Sequence, residues 1–232
     1  MNSISLIKKI VLIISLCAIS LFAIAKGGIS VSGTRIIYPK NAKQEIVSIR
    51  NSSDTDSFLV QSWVESADGK KTTDFIVTPP LYLSSPGNEN RLRVIFTGSE
   101  ALPEDRETLY YFIAKAIPSV TNDTTRSSIV RISAASRIKV FMRPDGLSPS
   151  SFEAPQQLSL REVQNKLEID NPSPYYITIS RLNIAGKEYS GLMVGPKMVT
   201  SVAINVRKGD PVKFNAVNDY GALSKDILTS VK

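Results

Sequence analysis

The sequence contains no histidine and one cysteine, Cys17. Cys17 lies inside an apolar N-terminal run, so a chain that has shed that run carries no thiol. These two gaps exclude a Ser-His-Asp triad, a cysteine nucleophile and a His/Cys zinc site. They also leave no disulfide to staple the fold. No glycine-rich phosphate loop is present, so no nucleotide is expected, and no other cofactor either. A two-carboxylate hydrolase survives this elimination, but no acidic pair sits in an aromatic, sugar-binding setting. The chain is therefore not expected to be an enzyme. The formal net charge is +7, yet the Lys and Arg residues are scattered and match no nucleic-acid-binding pattern, which argues against a nucleic-acid partner.

What is present begins with an address. Lys8 and Lys9 precede an apolar stretch from Ile10 to about Ala23, and Ala23-Ile24-Ala25 has the A-x-A form of a cleavage site. Residues 1–25 are expected to be a secretory signal peptide, leaving a mature chain from Lys26. The apolar run is short for a membrane span, so no membrane insertion is expected. Without Lys8 and Lys9 the formal charge falls from +7 to +5. A chain of this length suits two domains of about 100 residues, each with its own hydrophobic core.

The remaining sequence reads as strands. Ile29 to Tyr38 is expected to be a first strand, and Gln44 to Arg50 alternates Val47 and Ile49 against Ile46, Ser48 and Arg50. Ser57 to Glu65 carries the only tryptophan, Trp63, expected in the core with the aromatic run Tyr110-Tyr111-Phe112. Thr78-Pro79-Pro80 should force an edge or a switch of strand. The longest strand-like run is Arg126 to Pro144, with Val130, Ile132 and Ala134 in one phase and Arg131, Ser133 and Ala135 in the other. A Gly/Ser/Pro linker spans Gly146 to Ser151, after which a second β pattern restarts. Short strands with frequent turn signals, and no helical period, predict an all-β chain of two immunoglobulin-like sandwiches. Their expected extents are 26–145 and 146–232.

Several motifs occur in a fixed order: Thr34-Arg35, Thr78-Pro79-Pro80, Pro86-Gly87 followed by Leu92-Arg93, Pro103-Glu104-Asp105-Arg106-Glu107 before Tyr110-Tyr111-Phe112, Arg137-Ile138-Lys139 running to Arg143-Pro144, and Asn218-Asp219-Tyr220-Gly221. Together they span nearly the whole mature chain, which resembles the periplasmic pilus-assembly chaperones of the chaperone–usher pathway. The brief, cysteine-free segment Ser119 to Ser127 resembles their short-loop class. The resemblance implies two immunoglobulin-like domains around a cleft and a periplasmic location. Its implied partners are fimbrial (pilin) subunits, held by donor-strand complementation and delivered to an outer-membrane usher, with a self-capping dimer possible when no subunit is bound.

It also implies site residues. Arg35 and Lys139 would anchor the pilin's C-terminal carboxylate, a guanidinium fork beside a point charge. Val130, Ile132 and Ala134 would be the donated side chains, Ala134 being smaller than the residue usual in the family. Glu107, Arg143 and Asp219 would link the domains through salt bridges, with Arg93 as a polar neighbour. Arg137 is expected to serve solubility alone. The alternative, a secreted two-domain immunoglobulin-like adhesin or structural surface protein, does not call for converging cations beside an over-long alternating strand.

Overall fold

The structure, a computed structural model, describes residues 27–98, 101–119 and 132–232. The expected signal peptide, the loop from Ser119 onward and Val130 fall outside those residues, apart from Ser119 itself.

The first half builds two sheets that face each other. One takes β1 (Ile29–Val31), β3 (Glu45–Asn51), β7 (Glu89–Phe96) and β5 (Phe75–Thr78), in the order β1-β3-β7-β5. The other takes β2 (Arg35–Pro39), β9 (Ala134–Arg143), β8 (Thr108–Pro118), β4 (Phe58–Ser66) and β6 (Leu81–Ser84), in the order β2-β9-β8-β4-β6. Period-two alternation decides what is buried. Val47 and Ile49 of β3, Val60 and Val64 of β4, Leu92 and Val94 of β7, and Val140 and Met142 of β9 all point between the sheets and are nearly inaccessible.

Two segments change sheets. The stretch expected to be one strand from Ile29 to Tyr38 is two: β1 pairs with β3, and β2 crosses to lie parallel to β9. The break falls at Ser32-Gly33-Thr34, where Gly33 holds φ +82, a left-handed conformation that favours glycine. At Pro79-Pro80 the chain passes from β5, an edge strand of one sheet, to β6, an edge strand of the other. A residue without an N–H is tolerated there because no inner ladder needs it.

Trp63 corrects an expectation. Its neighbours Val60, Ser62 and Val64 take the inward phase of β4, so Trp63 stands on the outer face, half-buried, and donates from Nε1 to Glu65 Oε1 at 3.0 Å. Tyr110 and Phe112 are core residues, whereas Tyr111 shares the outer face with Trp63.

The second half repeats the plan on a smaller scale. β10 (Ser159–Val163), β11 (Lys166–Asn171) and β14 (Met198–Asn205) form one sheet. β13 (Lys187–Val194), β12 (Ile177–Ile184), β15 (Pro211–Ala216) and β16 (Ile227–Ser230) form the other. Leu167, Ile169, Ile179, Leu182 and Phe214 fill a core of their own. β13 was not expected from sequence. It is an edge strand with little burial, interrupted by Gly191 at φ +76, and so shows no clean alternation.

A buried asparagine fastens the same corner in both halves. Asn51 Nδ2 donates to the carbonyls of Asp56, Ser84 and Ser85, and its Oδ1 accepts from Ser53 N. Asn171 Nδ2 donates to the carbonyls of Tyr175 and Gly195, and its Oδ1 accepts from Ser173 N.

Candidate functional site

β9 joins the two halves. Its even-numbered residues Ile138, Val140 and Met142 turn toward the first core. Its odd-numbered residues Lys139, Phe141 and Arg143 turn outward, toward the second domain. Lys139 Nζ donates to Thr178 Oγ1 on β12 at 3.1 Å. Phe141 stacks on Tyr176, with ring centroids 5.6 Å apart. Arg143 reaches Asp219. One phase of one strand thus lines the corner between the domains.

Arg35 and Lys139 are register partners across the parallel β2–β9 ladder. Arg35 Nη1 donates to Val217 O at 2.9 Å, and its guanidinium lies 5.7 Å from the Phe141 ring centroid. Arg35 Nε is buried and has no hydrogen-bond partner. Burial, with the Arg35 charge beside it, lowers the Lys139 pKa. Burial also lowers that of Arg35, against the pull of Asp219 and Glu107. Two adjacent, partly desolvated cations suit an anion, and a carboxylate matches a guanidinium fork.

Glu107, Arg143 and Asp219 meet. Arg143 Nε donates to Glu107 Oε1 at 2.7 Å, and Nη1 and Nη2 donate to the two oxygens of Asp219 at 2.7 and 2.8 Å. Glu107 Oε2 also accepts from Tyr176 N at 2.8 Å, and Asp219 Oδ2 accepts from Ser151 Oγ at 2.8 Å. Burial pushes the Glu107 carboxyl above the usual carboxylate range in spite of Arg143 and the Tyr176 amide. Burial also acts on Asp219, but there the hydrogen bonds and charge of Arg143 prevail and hold the carboxyl below that range. The turn that presents Asp219 is closed by Gly221 N to Asn218 O and packs on Thr34, where a Cβ on Gly221 would stand 2.7 Å from Thr34 Oγ1. That contact joins the Thr34-Arg35 motif to the Asn218-Asp219-Tyr220-Gly221 motif.

The structure does not bring Arg93 to this group. Leu92 and Val94 take the inward phase of β7, so Arg93 is exposed on the outer face of the opposite sheet. It makes no side-chain hydrogen bond or ion pair among the described residues. Arg137 has more than a solvated role: its guanidinium sits 3.3 Å from the Tyr111 ring centroid and its Nε donates to Glu65 Oε2 at 3.3 Å. Thr178, Tyr176, Ser151 and the Val217 carbonyl had no sequence signal, because each matters only through a neighbour distant in the chain.

The start of β9 differs from the expected long strand: Ile132 and Ser133 precede it, and its pairing with β8 begins at Ala116↔Ala134. β2 covers β9 only from Lys139 to Arg143. Residues 134–138 are therefore paired with β8 on one side and with nothing on the other, among the described residues. Ile132 is 80% exposed, and Ala134 is exposed as well. The space enclosed at the corner is only about 20 Å³, room for about one water and far below a small-molecule pocket. The open strand edge, ending at two cations, suits an extended peptide ending in a carboxylate.

Comparison with known proteins finds relatives of both halves of the chain. The family described as "Pili and flagellar-assembly chaperone, PapD N-terminal domain" matches residues 28–148, and "Pili assembly chaperone PapD, C-terminal domain" matches residues 153–227. The probable fimbrial chaperone SfmC of Escherichia coli (strain K12) is 40% identical over 219 residues, covering 94% of this chain and 95% of that protein. The crystal structure of the periplasmic chaperone SfaE superposes with a TM-score of 0.75 at 36% identity, over 87% of this chain and 98% of that one. The Salmonella enterica SafA pilin in complex with the SafB chaperone gives a TM-score of 0.80 at 27% identity, over 90% and 99% of the respective chains.

Proposed function

This chain belongs to the family of pilus-assembly chaperones, and from that membership we propose that it is a periplasmic chaperone that holds fimbrial subunits by lending them a strand. It keeps them from aggregating and passes them to an outer-membrane usher. The action is binding, with no chemical step. The observation that carries this reading is the half-open strand β9, free at residues 134–138 and closed by β2 from Lys139 on, where Arg35 and Lys139 stand side by side.

The geometry gives an orientation. A subunit whose C-terminal carboxylate rests on Arg35 and Lys139 must approach along the free edge of residues 134–138. It then takes the edge position that β2 occupies further on, and, like β2, lies parallel to β9. Backbone hydrogen bonds supply the pairing. Val130, Ile132 and Ala134 have the parity of Ile138, Val140 and Met142, so the lent strand continues the chaperone's own core phase into the subunit's groove. Full burial of the Ile132 side chain contributes roughly 1.5–3 kcal/mol. Fixing the carboxylate fixes the register, because a one-residue slip would turn every side chain to the wrong face. Glu107, Arg143 and Asp219 set the angle between the domains and do not touch the subunit. The exposure of Ile132 also supports self-capping of free chaperone. Family membership sets aside the adhesin alternative.

The direct test is Lys139→Glu, expressed in the periplasm with a cognate subunit. The variant should fold as the parent does and recover no subunit on co-purification. Recovery at the parental level would overturn the anchor.

A further inference from the structure

The outward phase of β9 carries a second cation beside the anchor. Arg137 stands two residues before Lys139 on the same face, roughly 7 Å back along the strand. It lies on the half of β9 that β2 leaves unpaired. Sliding a bound strand by one residue turns its side chains to the wrong face, but sliding it by two does not. The two-residue slip is the error that face selection leaves open, and it would bring a subunit's carboxylate level with Arg137. A free guanidinium there would offer the same fork as Arg35, within reach of the same Lys139.

That guanidinium is not free. It sits 3.3 Å from the Tyr111 ring centroid, and its Nε donates to Glu65 Oε2 at 3.3 Å. Glu65 is held in turn: its other oxygen accepts from Trp63 Nε1 at 3.0 Å, and its side chain is only 18% exposed. Register places all three holders away from the open edge. Tyr111 of β8 is the cross-strand partner of Lys139, and Glu65 of β4 is the partner of Tyr111. Because the sheet runs β2-β9-β8-β4-β6, the Arg137 side chain crosses β8 toward β4. It therefore leans to the side of β9 opposite the lane that a subunit strand would enter. Lys139, by contrast, is tied to a neutral hydroxyl, that of Thr178. Ion pairs on an exposed face add little to stability; what this one does is withdraw a cation from the lane.

We infer that Trp63, Glu65 and Tyr111 are positioning residues that keep Arg137 from acting as a false anchor, so that a subunit's terminal carboxylate is held at Arg35 and Lys139 in a single register. The inference rests on the proposal that the subunit pairs along residues 134–138.

Cys17 lies in the expected signal peptide and no other cysteine is present, so a thiol placed at the exposed Ala135 has no competitor on the chaperone. The test combines Ala135→Cys with a cognate subunit carrying single cysteines at successive positions near its C-terminus. It reads which position forms a disulfide in the oxidising periplasm, with complex formation followed by co-purification. With Glu65 in place, one position should dominate. Glu65→Gln keeps an acceptor for Trp63 but removes the charge that holds Arg137, and it should add a second disulfide two residues nearer the subunit's C-terminus. Adding Arg137→Gln should abolish that second disulfide. A single disulfide in Glu65→Gln, at the parental position, would overturn this inference alone. So would a second disulfide that survives Arg137→Gln, since the slip would then owe nothing to that cation. No disulfide at any position, in a complex that still forms, would overturn the edge pairing itself and this inference with it. Should Glu65→Gln not fold, Tyr111→Leu takes its place, with the same expected result and the same results that would overturn it.

Discussion

Lys139 and Arg35 are partly withdrawn from water and lie next to each other, at a cost to both charges. Burial, then the neighbouring Arg35, already lowers the Lys139 pKa from 10.5. A bound carboxylate would raise it again, so the complex holds the proton more tightly than the free chaperone. The resulting affinity is fully present below the free-state pKa, and is lost as pH rises from there through the pKa in the complex. Subunit affinity measured by titration calorimetry should therefore be flat across neutral pH and fall on the alkaline side, beginning below pH 10.5. Affinity that is flat into the alkaline range would remove Lys139 from the anchor. These residues were visible in sequence because motif order singled them out. Their partners were not: nothing local marks Thr178 or the Val217 carbonyl, and Arg93 was misplaced because a motif does not state on which face of a strand a residue falls.

At the scale of elements, what matters is how far each strand is paired. β2 is only five residues long, and its shortness is what leaves residues 134–138 of β9 open. The sequence suggested one continuous first strand, since Ile29 to Tyr38 has β-branched residues at both ends; the change of sheet depends on the backbone at Gly33, which a pattern of side chains does not display. β13 was missed for the opposite reason, as an exposed edge strand has no buried face to generate alternation. Trp63 was assigned to the core on residue type, whereas the inward phase of β4 belongs to Val60, Ser62 and Val64. The alternation of β3, by contrast, was fully legible because that strand buries one face. For the lent segment, Ile132→Asp should leave the chaperone's melting temperature unchanged, since the side chain is 80% exposed. Periplasmic levels of subunit should nonetheless fall through degradation or aggregation, measured by immunoblot. Unchanged subunit levels would mean that this segment is not lent.

For the whole molecule, two separate cores are joined by the outward face of β9, by the Glu107–Arg143–Asp219 cluster and by a further ion pair, Lys197 Nζ to Asp105 Oδ2 at 2.6 Å. Salt bridges on exposed surface contribute little, but the Arg143–Asp219 pair is bidentate, partly buried and shared with Glu107 and Ser151, which makes it a fixed geometric link. Asp219→Ala should leave both domains folded by circular dichroism, broaden the distribution of interdomain angles in small-angle scattering and reduce fibre assembly. A parental scattering profile with parental assembly would deny the cluster its orienting role. Acidification tests the same link from another side. The Asp219 carboxyl lies below its ordinary value of 3.8, so its contribution is present above that pH and is lost only as pH falls through the folded-state value. The Glu107 carboxyl lies above its ordinary value and so takes its proton first. Its contribution to folding stability is greatest below pH 4.5 and declines as pH rises through the folded-state value, while protonation in mild acid removes the charge that Glu107 presents to Arg143.

The central proposal is that a subunit is held at the open half of β9. Backbone amide hydrogen exchange of residues 134–138 tests this most directly, compared in the free chaperone, in its complex with a cognate subunit, and in Lys139→Glu mixed with the same subunit. The amides that point away from β8 should exchange readily in the free protein, become strongly protected in the complex, and remain unprotected with Lys139→Glu. A tight complex in which those amides exchange as in the free protein would contradict strand donation at this edge.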